Sequence, residues 1–241
     1  MNLCIDQGNS STKIGVFSEN ELIYTELIYQ PDAERIITVF RQNNIQYSIL
    51  SSVIHPDEGL NEFLKRESKK YIELSHTTSL PIKNNYKTPE TLGRDRLAAV
   101  VGAVSLMPDT DLLVIDAGTA ITYDFVDASG VYHGGNIAPG LALRARSLSE
   151  FTKNLPLVEV TEEVDFLGND THSAIQAGVL YGIVLEIDGY IERLMLKYPK
   201  LSVFLTGGSS FYFENKLKNR IFANENLVLT GLNRILQNNV Q

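Results

Sequence analysis

Cysteine is nearly absent from this chain: Cys4 is the only one in 241 residues. A single thiol excludes any disulfide within the chain and fits a reducing compartment. It lies inside the apolar stretch Leu3-Cys4-Ile5, so a buried, inert thiol is expected. Basic residues are also in short supply, with 21 Lys and Arg against 29 Asp and Glu and a net charge of −8. That balance argues against nucleic acid or an anionic membrane as partner, since either would call for clustered Lys and Arg. No apolar run approaches the roughly 18–20 residues of a membrane span. The N-terminus reaches Asp6 without a basic segment and apolar stretch of the signal-peptide kind. The expected location is cytoplasmic. No Gly-x-x-x-x-Gly-Lys-[Ser/Thr] motif occurs, which excludes a Walker P-loop. His55, His76, His133 and His172 show no metal-ligand spacing with one another or with Cys4.

What is present is a duplicated turn. The apolar run Leu112 to Ile115 leads into Asp116-Ala117-Gly118-Thr119-Ala120-Ile121-Thr122. Near the N-terminus, Leu3-Cys4-Ile5 leads into Asp6-Gln7-Gly8-Asn9-Ser10-Ser11-Thr12-Lys13. Aligned without gaps, Asp6 matches Asp116, Gly8 matches Gly118, Asn9 matches Thr119 and Thr12 matches Thr122. A strand tip with glycine and hydroxyls offers N–H and O–H donors to phosphate oxygens. An adjacent carboxylate can hold a neutralising cation, and Lys13 adds a charge. Each turn alone also suits a plain β-hairpin, because Asp, Gly, Asn and Ser are the usual turn residues. The duplication points to two similar halves, 1–110 and 111–241, serving one polyanionic ligand. The length is comfortable for two domains of that size.

The patterning predicts strands over 2–6, 12–17 and 22–29, a helix opened by Pro31-Asp32, a strand over 47–53, a helix over 57–69 and a strand over 71–74. Residues 75–92 read as a long irregular connection carrying Tyr86. Gly93-Arg94-Asp95-Arg96 opens a helix rich in small residues. In the second half, strands are expected over 112–116, 120–126, 131–137, 201–205 and 227–229. Helices are expected over 141–153, from an N-cap at Thr171 through 197, after Thr206-Gly207-Gly208-Ser209, and over 231–237. Early strands joined by short turns imply mixed sheets carrying helices, an α/β class.

Asp95 between two arginines at a helix start has two readings. It is a first-turn acid favoured by the helix dipole, or a general base beside an anion clamp. From the residues alone the first is the better. Thr206-Gly207-Gly208-Ser209 suits a nucleotide-side turn or a tight βα turn equally well.

Taken together, Asp-x-Gly-Asn-[Ser/Thr]-x-x-Lys at 6–13, Gly-x-Asp-Arg at 93–96, Asp-x-Gly-Thr-Ala at 116–120, Gly-Gly-x-Ile-x-Pro-Gly at 134–140 and Thr-x-x-Ala-Ile-x-x-Gly at 171–178 occur in order. This set resembles the type III pantothenate kinases, within the acetate kinase, sugar kinase, Hsp70 and actin superfamily. The resemblance implies two tandem ribonuclease-H-like domains, an actin-like ATPase fold with the active site in the cleft between them. It implies ATP-dependent phosphorylation of pantothenate, the first step of coenzyme A biosynthesis. It assigns Asp6 to Lys13 and Thr119 to ATP, with Asp6 near Mg²⁺, directly or through water. Asp116 would hold a monovalent cation, K⁺ or NH₄⁺. Tyr86, Gly93, Arg94, Asp95 and Arg96 would bind pantothenate, with Asp95 as the base. Thr171 would reach the substrate of a partner subunit in a homodimer, and Gly207 and Gly208 would lie near the adenosine. Ser10 stands where threonine is commoner, keeping the hydroxyl, and Arg94 fills a position often taken by a small residue. The competing readings are a regulatory or transcription-accessory homologue, a kinase for another small hydroxy acid or a sugar, and an actin-like structural protein.

Overall fold

The computed structural model describes residues 1–29, 32–54 and 57–240. Pro31, expected to open a helix, and His55 lie outside the described residues. The chain divides into unit 1, Met1–Asp109 with Ser129–His133 and Asn226–Gln241, and unit 2, Thr110–Ala128 with Gly134–Glu225. Two segments of unit 1 thus come from beyond the boundary near 110 that the duplication suggests.

In unit 1, β1 (Asn2–Gln7), β2 (Thr12–Ser18) and β3 (Glu21–Ile28) form an antiparallel meander. α1 (Ala33–Gln42), β4 (Tyr47–Ser52), α2 (Glu58–Glu67) and β5 (Lys70–Glu73) follow. β4 pairs parallel with β1, and β5 with β4, giving the order β3-β2-β1-β4-β5. β1 is apolar at consecutive positions because both of its faces are covered. Leu3 and Ile5 pack with Val39, Phe40, Leu60 and Phe63 on one side. Cys4 packs on the other with Ile49 and with Ala98 and Leu232, which belong to α3 (Arg94–Leu106) and α6 (Leu227–Val240). Asp32 and Asp57 cap α1 and α2 by accepting from the N–H groups of Arg35 and Leu60, at 2.9 and 2.8 Å.

Unit 2 repeats the plan. It holds β7 (Leu112–Ala117), β8 (Ala120–Val126), most of β9 (Val131–Pro139), α4 (Leu141–Phe151), α5 (Thr171–Met195), β10 (Ser202–Thr206) and β11 (Phe222–Ala223). The order β9-β8-β7-β10-β11 is that of unit 1 again, with β7 antiparallel to β8 and parallel to β10. β6 (Lys83–Asn84), inside the expected irregular connection, pairs parallel with Val131 and Tyr132 at the start of β9.

Several expectations are corrected. Residues 227–240 form one helix instead of a strand followed by a helix, because Leu232, Ile235 and Leu236 bury at helical spacing. The turn at 206–209 leads into a three-residue 3₁₀ turn, Ser210–Tyr212, and not into an α-helix. The N-cap of α5 is Asp170, not Thr171; its carboxylate accepts from Ser173 N–H at 2.8 Å. Against the expectation from apolar run lengths, α5 is long and apolar enough to cross a membrane by length and composition. Half of that window is buried, and Ile175, Leu180, Ile183, Ile187 and Ile191 build the unit 2 core, so α5 reads as a core helix.

Candidate active site

In unit 1 the Asp6–Lys13 segment is the β1–β2 hairpin. Gly8 N–H donates to the Ser11 carbonyl at 2.9 Å, closing a loop whose tip, Asn9 and Ser10, is exposed. The ladder pairs Asp6 with Lys13 and Gln7 with Thr12. On the other side of β1, Asp6 pairs with Ser51 and Gln7 with Ser52, at the C-terminal end of β4. Ser52 Oγ donates to Gln7 Oε1 at 2.9 Å, and Arg94 donates to the Ser52 carbonyl at 3.3 Å. Arg94 also lies 3.7 Å from Glu73, so its side chain turns toward β4 and β5. A chain of contacts therefore joins the phosphate-turn candidate to the start of α3.

That helix start is tightly built. Asp95 Oδ1 accepts from Arg96 N–H at 2.9 Å. A Cβ on Gly93 would come within 2.6 Å of the same oxygen, so only glycine leaves the Asp95 carboxylate in place. Arg96 is 5% exposed, and its guanidinium sits 5.9 Å from the centre of the Tyr86 ring. Tyr86 stacks on Tyr132 at 6.1 Å, and its N–H donates to Asn84 Oδ1. Tyr86, Gly93, Asp95 and Arg96 are thus brought together, while Tyr132 and Ser52 join them without a sequence signal beyond their place at strand ends.

In unit 2, Asp116 is half-buried at the end of β7. Gly118 N–H donates to the Ala120 carbonyl at 3.0 Å, as Gly8 does to Ser11 in unit 1. Gly140 N–H donates to the Thr119 carbonyl at 3.0 Å, and Ser209 N–H to Ala117 at 2.9 Å. The Gly207 backbone rests against Asp116: a Cβ there would lie 2.4 Å from Oδ1. Three motifs, at 116–120, 134–140 and 206–209, therefore converge on Asp116 and the exposed Thr119. The ladder sets Thr122 across from Asp116, the place that Lys13, not Thr12, holds across from Asp6. Thr12 pairs with Gln7, so the alignment of Thr12 with Thr122 is corrected by one register position.

Thr171 stands apart from this set. It lines a cavity of about 520 Å³ between α4 and α5, with Arg144, Ser147, Leu148, Leu155 and Ile175. Arg144 is held there by Glu186 at 2.7 Å and by the Pro139 carbonyl at 2.8 Å. The same Glu186 accepts from the Tyr123 hydroxyl, whose pKa is pushed up by burial first and by that hydrogen bond second.

The donors suit hard cations. Asp6 and Asp116 offer carboxylates, and the Ser51 and Thr122 hydroxyl oxygens beside them are buried with no hydrogen-bond partner among the described residues. Among the described residues no three His, Cys, Asp or Glu side chains gather around one point. A nucleotide-borne Mg²⁺ fits such a site, because it keeps its waters and takes one or two carboxylates plus phosphate oxygens.

A twice-repeated sheet with an acid–glycine–hydroxyl turn at each central strand defines the actin-like ATPase and sugar kinase fold. The ROK hexokinase of Thermus thermophilus shares it with a TM-score of 0.54 at 13% identity, covering 99% of each chain. A Campylobacter jejuni protein described as a Baf family transcriptional activator reaches a TM-score of 0.63 at 25% identity, covering 98% of each. Within that class, the family model for type III pantothenate kinase matches residues 2–193. The type III pantothenate kinase of Phocaeicola vulgatus is 48% identical over 239 residues, 99% of both chains. The chain belongs to the type III pantothenate kinase family.

Proposed function

We propose that this chain transfers the γ-phosphoryl group of ATP to the primary 4′-hydroxyl of pantothenate, the first step of coenzyme A biosynthesis. The observation that carries this reading is the Tyr86–Arg96–Asp95 cluster at the start of α3, in a chain of this family. Arg96 faces the substrate carboxylate region, and Tyr86 fixes its guanidinium plane. Asp95 accepts the 4′-hydroxyl proton as that oxygen bonds to the γ-phosphorus and the bond to the β–γ bridging oxygen breaks, releasing ADP. The Asp6–Lys13 hairpin holds phosphate oxygens with backbone N–H groups, hydroxyls and the Lys13 ammonium. Catalysis is then positioning and electrostatics more than covalent chemistry. Thr119 contacts ATP, Gly207 and Gly208 lie by the adenosine, and Asp116 holds a monovalent cation, K⁺ or NH₄⁺. When bound, this ion and Mg²⁺ supply positive charge to the phosphate oxygens. The cytoplasm, where a lone thiol stays reduced, is the proposed setting.

The active unit is a homodimer in this reading. Supporting it, unit 2 exposes Ile137 (66%), Phe151 (85%) and Leu167 (79%), large apolar side chains that a second copy would cover. Thr171 then reaches the partner's substrate. A regulatory role is the second reading, favoured by the likeness to the Campylobacter jejuni protein. ADP release measured with and without pantothenate decides between them. Turnover that requires pantothenate is expected; no ATP turnover with any hydroxy-acid acceptor would leave the regulatory reading standing.

A further inference from the structure

Because the two sheets share one strand order, each acid has neighbours at equivalent positions. In unit 1 the row across the sheet is Ser51, Asp6, Lys13. In unit 2 it is Thr206, Asp116, Thr122. Residues directly opposite in an antiparallel ladder project from the same face, with Cβ atoms about 5 Å apart. Lys13 and Thr122 therefore occupy the same place relative to their acids. Lys13 brings an ammonium to that place. Thr122 brings an oxygen and no charge, and its Oγ1 is buried without a hydrogen-bond partner among the described residues. A buried hydroxyl is ordinarily satisfied, so an orphan next to a carboxylate marks a position awaiting a ligand.

We propose that Thr122 Oγ1 is a ligand, together with Asp116, of the monovalent cation, and that this cation stands in for the ammonium that Lys13 carries in unit 1. The inference rests on the reading of Asp116 given above. The chemistry of the row selects the ion. A carboxylate and a hydroxyl oxygen are hard donors, which excludes soft metals. The equivalent row is completed by a single positive charge, which favours a monovalent over a divalent ion. Chain-borne and exogenous cations thus do the same work in the two units, and only the second depends on the medium.

The test uses the full chain at constant ionic strength in KCl and NaCl mixtures, reading Tm with ADP bound and, separately, pantothenate-dependent ADP release. The wild type should gain Tm with K⁺ in a saturable way. Thr122→Val keeps the shape and removes the oxygen; its half-saturating K⁺ should rise about tenfold. Thr122→Ser, which restores the oxygen, should return it close to the wild-type value. Thr122→Lys should make Tm and turnover indifferent to K⁺ against Na⁺. A Thr122→Val protein that titrates like the wild type overturns the inference, as does a folded Thr122→Lys protein that still needs K⁺. If Thr122→Lys does not fold by circular dichroism, the Val and Ser pair decides. Wild-type protein whose Tm responds to K⁺ but which never phosphorylates pantothenate would sink the substrate reading and leave the cation site intact.

Discussion

Gly231 lies so close to Ala98 that a Cβ on it would come within 1.7 Å of the Ala98 carbonyl oxygen. Gly102 approaches the Leu227 carbonyl similarly, at 2.3 Å for its own Cβ. α3 and α6 therefore meet at backbone distance, and α3 is the helix whose first turn presents Asp95 and Arg96. Gly231→Ala must push these helices apart. Overpacking of this kind destabilises by about 1–3 kcal/mol. A shift of about 1 Å at Asp95 can lower turnover by up to ~10²-fold. The expected outcome is a lower Tm by calorimetry together with a reduced kcat. An unchanged Tm would mean that the helix spacing tolerates a methyl group.

Asp95→Asn tests the base directly. The amide is isosteric with the carboxylate and still accepts from Arg96 N–H through its oxygen, so the helix start should survive. It cannot take the hydroxyl proton. A fall in kcat of about 10²–10⁴-fold is expected, with the KM for pantothenate and the circular dichroism spectrum little changed. Near-normal turnover would remove Asp95 from this role.

The turns were legible because their ingredients are local: an apolar run, an acid, a glycine and hydroxyls within eight residues. The equivalence of Lys13 and Thr122 was not. The β1–β2 loop carries one residue more than the β7–β8 loop, and that offset emerges only when the ladders pair. The apolar Leu227-Val228-Leu229 resembles a short strand, yet it belongs to α6, whose packing partner Ala98 lies far away in the sequence and meets Gly231 at backbone distance. β6 spans two residues, too few for any periodicity, and its partner strand lies 48 residues on (83 to 131). The pairing of Tyr86 with Arg96 came from the order of the motifs and the family resemblance. No pattern in the residues themselves brings them together.

Asp170 offers a pH-dependent prediction. Its carboxylate accepts from Ser173 N–H, and the Ser173 hydroxyl lies within 3.1 Å of Asp170 N, forming a capping box at the start of α5. The backbone hydrogen bond from Ser173 is the largest cause holding its pKa below the ordinary value. A folded-state pKa below the unfolded one stabilises above the unfolded pKa, and that contribution is lost as pH falls through the folded pKa. Asp170→Ala should therefore lower Tm by about 2–4 °C at pH 7. The gap from wild type should narrow once the pH drops below roughly 4. Because Thr171 is the next residue, loosening this turn should also raise the KM for pantothenate more than it lowers kcat. A gap in Tm that stays constant into acid would show that Asp170 acts without its charge.

Cys4 gives a probe of the whole unit 1 core. The thiol is fully buried, and burial raises its pKa well above the ordinary value. The thiolate is the reactive form, so both access and ionisation oppose its reaction in the folded protein. A disulfide reagent such as DTNB at pH 8 should leave the native chain unlabelled for hours and titrate one thiol per chain in denaturant. Labelling of the native protein then requires opening of the β1 core, and its rate reports the population of opened molecules. A ligand that binds only the folded chain lowers that population by a factor of 1 + [L]/Kd, about 100-fold at 100 times Kd. Mg-ATP should slow the labelling of Cys4 by that factor, although the thiol points away from solvent and toward α3 and α6. Protection that saturates with ATP would yield the nucleotide affinity without any turnover. Rapid labelling of the native chain, or labelling indifferent to ATP, would mean that the thiol is reached without opening the fold that carries the Asp6 turn.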